Sequence, residues 1–294
     1  MSHWWVVVNP SAGSGKNIEA RVRAALDRRG INHTLRVSHS PEALTSIIAE
    51  GRAEGHGRFV AVGGDGTANL VANGVLAHEW ASTPTLAMLP AGSASDLART
   101  FALPGDIEDA SSHLVGHETQ AIDVGLLAGS FGERYFLNAA NAGIAARTVI
   151  EAERLPDRLG ARRYVIAFWS ALAKTAPADV HVDSDGRMID GIAWNVVIAN
   201  GRFFGGAMNV APNAIIDDGL FDVQVFSGPR RSAPTVIRRV IRGTHLTHRA
   251  VRRTSGSEVA VGVPDDWIVE ADGEIIGTGS FTAKALQGRL LFKT

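Results

Sequence analysis

FVAVGGDGTANLVANG, residues 59–74, is the stretch that decides the fold of this chain. The short apolar run 59–62 is typical of a buried strand in a parallel sheet. Glycines surround Asp65 directly after this run, and apolar residues at helical spacing follow. The stretch therefore predicts a strand, a glycine-rich turn and a helix.

The predicted turn has the properties of an anion site. The first N–H groups of a helix and its dipole both favour an anion, and glycines allow a ligand to approach the backbone closely. The Asp65 carboxylate would repel a phosphate, so a cation or a hydroxyl group should lie between them, which indicates a nucleotide site that uses Mg²⁺. The alternative is a tight turn in which Asp65 caps the helix, and a GDG sequence alone favours that alternative.

Length and composition exclude several classes of protein. The 294 residues are enough for two domains, and the net charge of -1 gives no global argument for nucleic-acid binding. The absence of cysteine excludes disulfides, thiolate metal sites and a cysteine nucleophile. The N-terminus lacks a signal-peptide pattern, and no apolar run approaches the ~20 residues of a membrane span. We therefore expect a soluble cytoplasmic protein.

Three further strand–turn–helix units are predicted in the first half of the chain. Their strands cover 4–8, 32–37 and 85–89, and the turns that follow are rich in small and polar residues. In the first turn, Pro10 and Asn17 exclude a Walker A loop, which leaves Lys16 as either a phosphate contact or a surface lysine. In the second, Ser40 is a suitable N-cap before Pro41. Ligands of open α/β sheets bind at the carboxyl ends of the strands, where these turns lie.

The second half of the chain has a different pattern. Short predicted strands cover 121–127, 135–140, 180–182, 193–199, 221–226, 258–263 and 267–270, and two helical stretches cover 162–172 and 235–242. This spacing is typical of antiparallel strands. We therefore predict a Rossmann-like α/β nucleotide-binding domain over 1–124 and a mainly antiparallel β-sandwich domain over 125–294, with the active site in the cleft between them. The last strand, about 285–294, could return to the first domain.

An ordered set of short motifs runs along nearly the whole chain. It consists of Asn9-Pro10 with Gly13 and Gly15, Ser38 with Pro41, 63–67 with Asn69, LPAGS at 89–93, Asp123 with Gly125, Phe136 with Asn138, NGRFFGG at 200–206, DGL at 218–220, Gly243 with His245, and DGE at 272–274. Taken together, these motifs resemble the diacylglycerol kinase-like lipid kinase family, which includes sphingosine and ceramide kinases and bacterial diacylglycerol kinases. NAD kinases share the GGDGT turn but not the later motifs.

The resemblance implies ATP and Mg²⁺ as cofactors. It implies that Asp65, Asp96 and Asp123 organise a catalytic Mg²⁺, partly through water, and that a structural Mg²⁺ is held by Asp218 and the carbonyl groups of Ile215 and Leu220. The implied nucleotide-binding positions are Asn9, Lys16, Ser38, Gly63, Gly64, Asp65, Gly66, Thr67, Asn69, Gly92 and Ser93.

The resemblance also implies that Glu274 is the general base and that Asp272 lies beside it. Asp65 is implied to be catalytic as well. From the residues alone, Asp272-Gly273 is equally well explained as a plain hairpin turn, and 217–219 as a solvated turn. Ser93 and Ser95 depart from the usual Thr and Asn of the family, Ser38 replaces a Thr, and Leu70 stands where Glu is common. None of these changes removes the implied metal ligands or the base.

The leading hypothesis is an ATP- and Mg²⁺-dependent lipid kinase that phosphorylates diacylglycerol. Alternatives are a kinase for another lipid alcohol, such as a sphingoid base or phosphatidylglycerol, an NAD kinase, or a non-catalytic protein that binds lipid or nucleotide.

A lipid acceptor implies peripheral docking on the anionic inner face of a membrane. The arginine-containing stretches 154–169 and 230–253 could provide it, although each is equally well a solvated helix face. No aromatic residues alternate with the arginines of the second stretch, so we expect no nucleic-acid partner. Unpaired strands of the second domain could pair in a homodimer.

Overall fold

The computed structural model describes residues 3–12, 17–91, 95–159, 162–206 and 208–294. The chain divides into two compact units. The first consists of Met1–Asp123 with Gln287–Thr294, and the second of Val124–Leu286. Among the helices of the described residues, none is both long and apolar enough to cross a membrane.

The first unit alternates strands and helices. Its strands are β1 (Trp4–Val8), β2 (His33–Val37), β3 (Arg58–Gly63) and β4 (Thr85–Pro90), and its helices are α1 (Ile18–Arg28), α2 (Pro41–Ala53), α3 (Asp65–Leu76), α4 (Asp96–Thr100) and α5 (Ile107–Ala110). A 3₁₀ turn follows at Ser111–Leu114. The alternation was predicted for all four strands.

The strands of the first unit form a parallel sheet in the order β2-β1-β3-β4, with the end of the last strand of the chain, β17 (Phe281–Lys293), beside β4. Val8 is in register with Val62 and Val37, and Gly63 with Pro90. The turns after these strands therefore meet at one edge of the sheet. The central strands are fully buried between helices, as their continuous apolar runs predict.

The second unit is built mainly from antiparallel strands. They are the part of β5 (Thr119–Gly129) that follows Asp123, then β6 (Gly132–Phe136), β7 (Ala139–Gly143), β8 (Ala178–Ser184), β9 (Arg187–Ala199), β10 (Phe203–Phe204), β11 (Met208–Asn209), β12 (Phe221–Ser227), β13 (Val251–Gly256), β14 (Glu258–Gly262), β15 (Ile268–Ala271), β16 (Glu274–Thr278) and the start of β17. Helices α6 (Ile144–Glu153), α7 (Arg162–Lys174) and α8 (Ala233–Ile241) interrupt them, with 3₁₀ turns at Asp157–Leu159, Arg230–Ser232 and His245–Thr247.

In this unit the strand order is β16-β15-β7-β9-β8-β14-β17, with β12 also paired to β9 and β13 to β12. Two apolar clusters form its core. One lies around Phe136, Phe221 and Trp267, and the other packs α7 and α8 against Trp194 and Phe226. The predicted α/β half followed by a β-rich half is confirmed.

Two sequence expectations for this unit were wrong. The predicted strand 135–140 is two strands, because the N–H groups of Leu137 and Asn138 bond to the Asp272 carboxylate between β6 and β7. Helix α6 was not predicted. It begins directly after β7 at Gly143, whose φ of 109° is available to glycine and strained for other residues.

Candidate functional site

At the carboxyl edge of the parallel sheet, the turn that follows β1 is hydrogen-bonded to helix α3. The Asn9 backbone N–H donates to the Val62 carbonyl over 3.1 Å, and the Asn9 amide Nδ2 donates to Thr67 Oγ1 over 3.1 Å. Gly63 is required at this point, because a Cβ there would lie 2.3 Å from Thr67 Oγ1. Asn9, Gly63 and Thr67, which sequence analysis grouped as nucleotide-binding, therefore lie together.

The start of α3 has the features of an anion site. Its N-cap is Gly64, so no side chain caps the helix, and its first N–H groups are of the type that binds phosphate. A Cβ on Gly64 would meet no atom within 4 Å, so packing does not demand this glycine. Gly66 follows in the first turn, and Asn69 is buried further along, with its Oδ1 accepting from Asn73 Nδ2 over 3.0 Å.

Ser38 follows β2 at the same edge of the sheet. Its N–H donates to the Val8 carbonyl over 2.9 Å, and its Oγ donates to the Ser40 carbonyl over 2.8 Å. Ser40 in turn caps α2 by accepting from the Ala43 N–H, and Pro41 is the first helical residue, as predicted. The Ser38 hydroxyl thus already has a local acceptor inside the turn.

Asp65 does not cap its own helix, contrary to the alternative considered from sequence. Its carboxylate accepts the N–H groups of Asp96 and Leu97 at 2.7 and 2.9 Å and the Ser95 hydroxyl at 3.0 Å. Asp65 therefore joins the start of α3 to the start of α4. Burial raises the pKa of the Asp65 carboxyl, and these hydrogen bonds oppose the rise.

Ser95 has a defined local function where the family commonly has Asn. Its Oγ accepts the Ala98 N–H over 3.2 Å, which caps α4, while the same hydroxyl donates to Asp65. A serine is therefore sufficient to hold this junction. Lys16, Gly92 and Ser93, the remaining predicted nucleotide contacts, lie outside the described residues.

The other two aspartates implied for Mg²⁺ are buried in the first unit. Asp96 is the first residue of α4, and Asp123 on β5 accepts the Gly288 N–H of β17 over 2.9 Å. The predicted need of Asp123 for a partner is confirmed. Because the partner is a backbone N–H, Asp123 holds β17 against the first unit.

The number of metal-binding side chains that lie together decides whether these residues alone can hold Mg²⁺. Where the chain is described, no three or more His, Cys, Asp or Glu side chains come together to hold a metal ion. The Asp65 carboxylate also already accepts three hydrogen bonds. The described side chains alone therefore form no magnesium cage, and water or phosphate oxygens would have to complete the coordination.

The proposed structural metal loop is also an ordinary turn in this structure. Asp218 Oδ1 accepts the Leu220 N–H over 3.0 Å, and this side chain–backbone bond closes the turn. Ile215 and Leu220 are 49% and 40% exposed, so their carbonyl groups stand in a solvated loop. This geometry agrees with the solvated-turn interpretation that the sequence left open.

The implied base region of the second unit is a two-residue hairpin turn. Asp272 and Gly273 both have positive φ, 48° and 87°, and they connect β15 to β16. This Asp-Gly turn is a type preferred in tight hairpins. The Asp272 carboxylate accepts the N–H groups of Leu137, Asn138 and Ala139 at 2.7, 2.8 and 3.0 Å. Asp272 thus anchors the hairpin to the start of β7.

Glu274 is the first residue of β16, directly after the turn. Its Oε2 pairs with the Arg134 guanidinium of β6 over 2.5 Å, and its side chain is 35% exposed. Arg134 holds the carboxylate in one orientation. A solvent-accessible carboxylate on a rigid hairpin is a suitable general base for an alcohol.

Sequence reasoning missed Glu270, which lies below the same turn on β15. It is 5% exposed and accepts the Gly273 N–H over 2.8 Å and the Asn141 Nδ2 group. Burial, together with the nearby Asp272 charge, raises the pKa of the Glu270 carboxyl to about 7. The sequence carried a weak signal, because this acidic residue stands at the end of the predicted strand 267–270 between the apolar neighbours Val269 and Ala271.

Comparison with known proteins agrees with the two halves of this architecture. Residues 3–127 match the diacylglycerol kinase catalytic domain, and residues 138–291 match the YegS C-terminal NAD kinase beta sandwich-like domain. The second match supports the predicted β-sandwich class for the second half.

Curated relatives are lipid kinases by name. The chain is 30% identical to the probable lipid kinase YegS-like of Xanthomonas oryzae pv. oryzae over 76% of this chain and 73% of that protein. It is 26% identical to the diacylglycerol kinase of Bacillus subtilis over 92% of this chain and 89% of that protein.

Solved structures share the fold. A diacylglycerol kinase from Bacillus anthracis has a TM-score of 0.72 at 19% identity, with 99% of this chain and 96% of that chain covered. An NAD kinase from Archaeoglobus fulgidus has a TM-score of 0.54 at 15% identity, with 99% and 93% covered. The chain belongs to the diacylglycerol kinase-like family of lipid kinases. It is thus a phosphotransferase, as the resemblance of its motifs implied.

Proposed function

We propose that this enzyme transfers the γ-phosphate of ATP to the free hydroxyl group of diacylglycerol and forms phosphatidic acid. One observation carries the choice of acceptor: the similarity to the Bacillus subtilis diacylglycerol kinase extends over 92% of the chain. It therefore includes most of the second unit, the unit to which Glu274 belongs.

In this proposal the first unit binds ATP. The uncapped start of α3 supplies backbone N–H groups for phosphate oxygens, and the turn containing Asn9 lies against it. Mg²⁺ bound with the nucleotide would neutralise charge on the phosphates. Asp96 and Asp123 are buried carboxylates of the same unit that could meet this ion directly or through water.

Glu274 removes the proton from the acceptor hydroxyl as its oxygen attacks the γ-phosphorus, and the bond from the γ-phosphorus to the bridging oxygen breaks, so that ADP leaves. Phosphoryl transfer depends mainly on positioning and charge stabilisation, so the base has to be rigid and accessible. Arg134 and the Asp272-anchored turn give Glu274 that rigidity.

The first experiment is transfer of labelled γ-phosphate from ATP, with Mg²⁺, to a panel of acceptors in anionic mixed micelles. The panel contains diacylglycerol, sphingosine, ceramide, phosphatidylglycerol and monoacylglycerol, with NAD as a soluble control. We expect diacylglycerol to be the strongest acceptor. Preferred labelling of another lipid would replace the acceptor in this proposal, and labelling of NAD alone would overturn it.

Glu274→Ala tests the proposed base. We expect turnover to fall by a factor of about 10²–10⁴, the range typical of general-base catalysis, with ATP affinity nearly unchanged. Glu133→Ala, which changes an exposed carboxylate of β6 next to Arg134, is the matched control. Wild-type rates in Glu274→Ala would remove Glu274 from this role.

We also propose that α7 docks the enzyme on an anionic membrane. Four large apolar side chains of this helix are exposed: Tyr164 by 40%, Val165 by 61%, Ile166 by 48% and Trp169 by 47%. The opposite face of α7 packs into the core. A basic amphipathic helix with exposed aromatic side chains is typical of binding at a membrane interface.

Charge supports the same surface. The stretch 154–174 contains four arginines and one lysine against one aspartate. The other arginine-containing stretch, 230–253, fits a membrane surface less well. In its helix α8 the apolar side chains of Val236 and Val240 are buried, and the large apolar residue of that helix that is strongly exposed is Ile241. Among the described helices, α7 thus combines exposed apolar area with basic charge.

Vesicle sedimentation tests this surface without any substrate turnover. We expect the double substitution Val165→Ser and Ile166→Ser to weaken binding to phosphatidylglycerol-containing vesicles at least tenfold, which corresponds to about 1.4 kcal/mol. The matched control is Met188→Ser with Ile192→Ser, which changes two equally exposed apolar residues of β9. Equal losses in both double variants would contradict docking through α7.

A further inference from the structure

Glu270 is a buried carboxyl group that contacts the turn carrying the proposed base. β15 lies between β7 and β16, and Glu270 is opposite Asn141 of β7 and Ile275 of β16. Its Oε2 accepts the Gly273 N–H over 2.8 Å, and its Oε1 accepts from Asn141 Nδ2. The carboxyl group therefore links the turn to the neighbouring strand.

The surroundings of Glu270 provide no compensating cation among the described residues. The charged groups on the elements packed against it are Asp272 in the turn, Glu274 on β16, which pairs with Arg134, and three residues of α6: Arg147 and Glu151, which pair with each other, and the exposed Glu153. Asp272 is the charge that acts on Glu270, and it is of the same sign. An ionised Glu270 is therefore poorly stabilised at this position.

We propose that Glu270 is a positioning residue that holds the Asp272–Gly273 turn and thereby Glu274 in the geometry for phosphoryl transfer. The inference rests on the proposed role of Glu274 as base. It assigns to Glu270 no contact with ATP or lipid. Its effect on turnover is exerted through the turn.

The sign of the effect follows from the charges. When Glu270 is protonated, Oε2 still accepts the Gly273 N–H, Oε1 carries the proton in place of the bond from Asn141 Nδ2, and no charge opposes Asp272. When it ionises, two carboxylates bind backbone N–H groups around one turn and repel each other. Because the pKa of Glu270 in the folded protein is raised to about 7, folding favours the protonated form. The stabilisation is complete below the ordinary glutamate pKa of 4.5 and is lost as the pH rises through about 7.

The test is the pH profile of kcat between pH 5.5 and 9 with the preferred lipid acceptor. We expect the wild-type kcat to fall as the pH rises through about 7, with the KM for ATP unchanged. Glu270→Gln keeps a group of the same shape that cannot ionise, so its profile should lack this falling limb. Asp222→Asn is the matched control. Asp222 is another carboxyl group of the second unit whose pKa burial raises, and its variant should keep the falling limb.

A second variant keeps the test decisive if Glu270→Gln does not fold. Asn141→Ser removes an amide donor whose hydrogen bond lowers the pKa of Glu270, so the falling limb should move to higher pH. A limb that is unchanged in Glu270→Gln, or in Asn141→Ser where the first variant is unfolded, would overturn the inference. Absence of lipid phosphorylation in the wild type would instead overturn the proposed function.

Discussion

Two half-buried carboxylates of this enzyme, Asp65 and Asp272, serve as acceptors for backbone N–H groups. Asp65 binds the start of α4, and Asp272 binds three successive N–H groups ahead of β7. Hydrogen bonds to an ionised acceptor are stronger than neutral ones. Both side chains therefore give rigidity to the glycine-containing turns on which the proposed chemistry depends.

Asp65→Ala is predicted to destabilise the fold as well as to impair Mg²⁺-dependent turnover. Two N–H groups at the start of α4 and the Ser95 hydroxyl lose their acceptor, so we expect a loss of about 2–3 kcal/mol in the free energy of unfolding. Urea unfolding measures the change.

Asp106→Ala is the control for Asp65→Ala. The Asp106 side chain caps the short helix α5 through one N–H and is 55% exposed, so the expected loss is about 1 kcal/mol. Equal losses of unfolding free energy in the two variants would contradict the stabilising role assigned to the hydrogen bonds of Asp65. An unchanged dependence of turnover on Mg²⁺ would count against its link to the metal.

Helices α6 and α7 are joined by one buried carboxylate. Glu151 is 6% exposed and accepts from Lys174 Nζ at 2.6 Å, from Ser170 Oγ at 2.8 Å and from Arg154 at 3.3 Å. Lys174 and Ser170 belong to α7, the helix proposed to meet the membrane. Glu151 thus adds charged hydrogen bonds to the packing of α7 against α6.

Glu151→Gln is predicted to lower the free energy of unfolding by about 1–2 kcal/mol at pH 7. The Lys174 ammonium group holds the pKa of Glu151 below its usual 4.5, so its contribution is present above that pH and is lost as the pH falls below it. The difference between wild type and variant should therefore be present at pH 7 and shrink in acid, as the pH falls through the lowered pKa of Glu151.

Glu258→Gln is the control for Glu151→Gln. Glu258 also binds a lysine, Lys284, over 2.6 Å, but its side chain is 65% exposed. Exposed pairs contribute little, so the free energy of unfolding should be nearly unchanged at pH 7 and in acid. A comparable loss in Glu258→Gln, or a loss in Glu151→Gln that persists in acid, would contradict the assignment.

At the scale of the whole molecule, the end of the chain returns to the unit in which it began. Leu291 and Phe292 of β17 pair with Thr85 and Leu86 of β4, which places them in the parallel sheet. Phe292 is fully buried and stacks on Phe101 with ring centroids 4.0 Å apart. The first unit is therefore complete only when residues 287–294 have folded with it.

Phe292→Ala is predicted to destabilise the protein by about 3–5 kcal/mol, because it leaves a cavity in a packed core. Arg289→Ala, an exposed position of the same segment, is the control and should change the free energy of unfolding by less than about 0.5 kcal/mol. Thermal and urea unfolding give both values. A small effect of Phe292→Ala would mean that the segment adds little to the first unit.

The amino-acid sequence by itself determined the order of the elements and the position of the glycine turns. These depend on apolar periodicity and on backbone preferences within a few residues, which is why the alternation of β1–β4 with their helices, the cap at Ser40 and the antiparallel second half could be predicted. The ordered motifs were also sufficient to identify the family. Helix α6 was missed because it begins directly after β7 at Gly143, with no capping side chain to mark its start.

Only the tertiary structure decided what the carboxylates do. Asp65 meets Asp96 across 31 positions of sequence, Glu270 meets Asn141 across 129, and Asp272 meets Asn138 across 134. No local pattern contains such partners, because strand pairing and the packing of turns bring them together. Burial, likewise a property of the folded chain, makes Glu270 a group that titrates near neutral pH, although its sequence context suggested only a strand end.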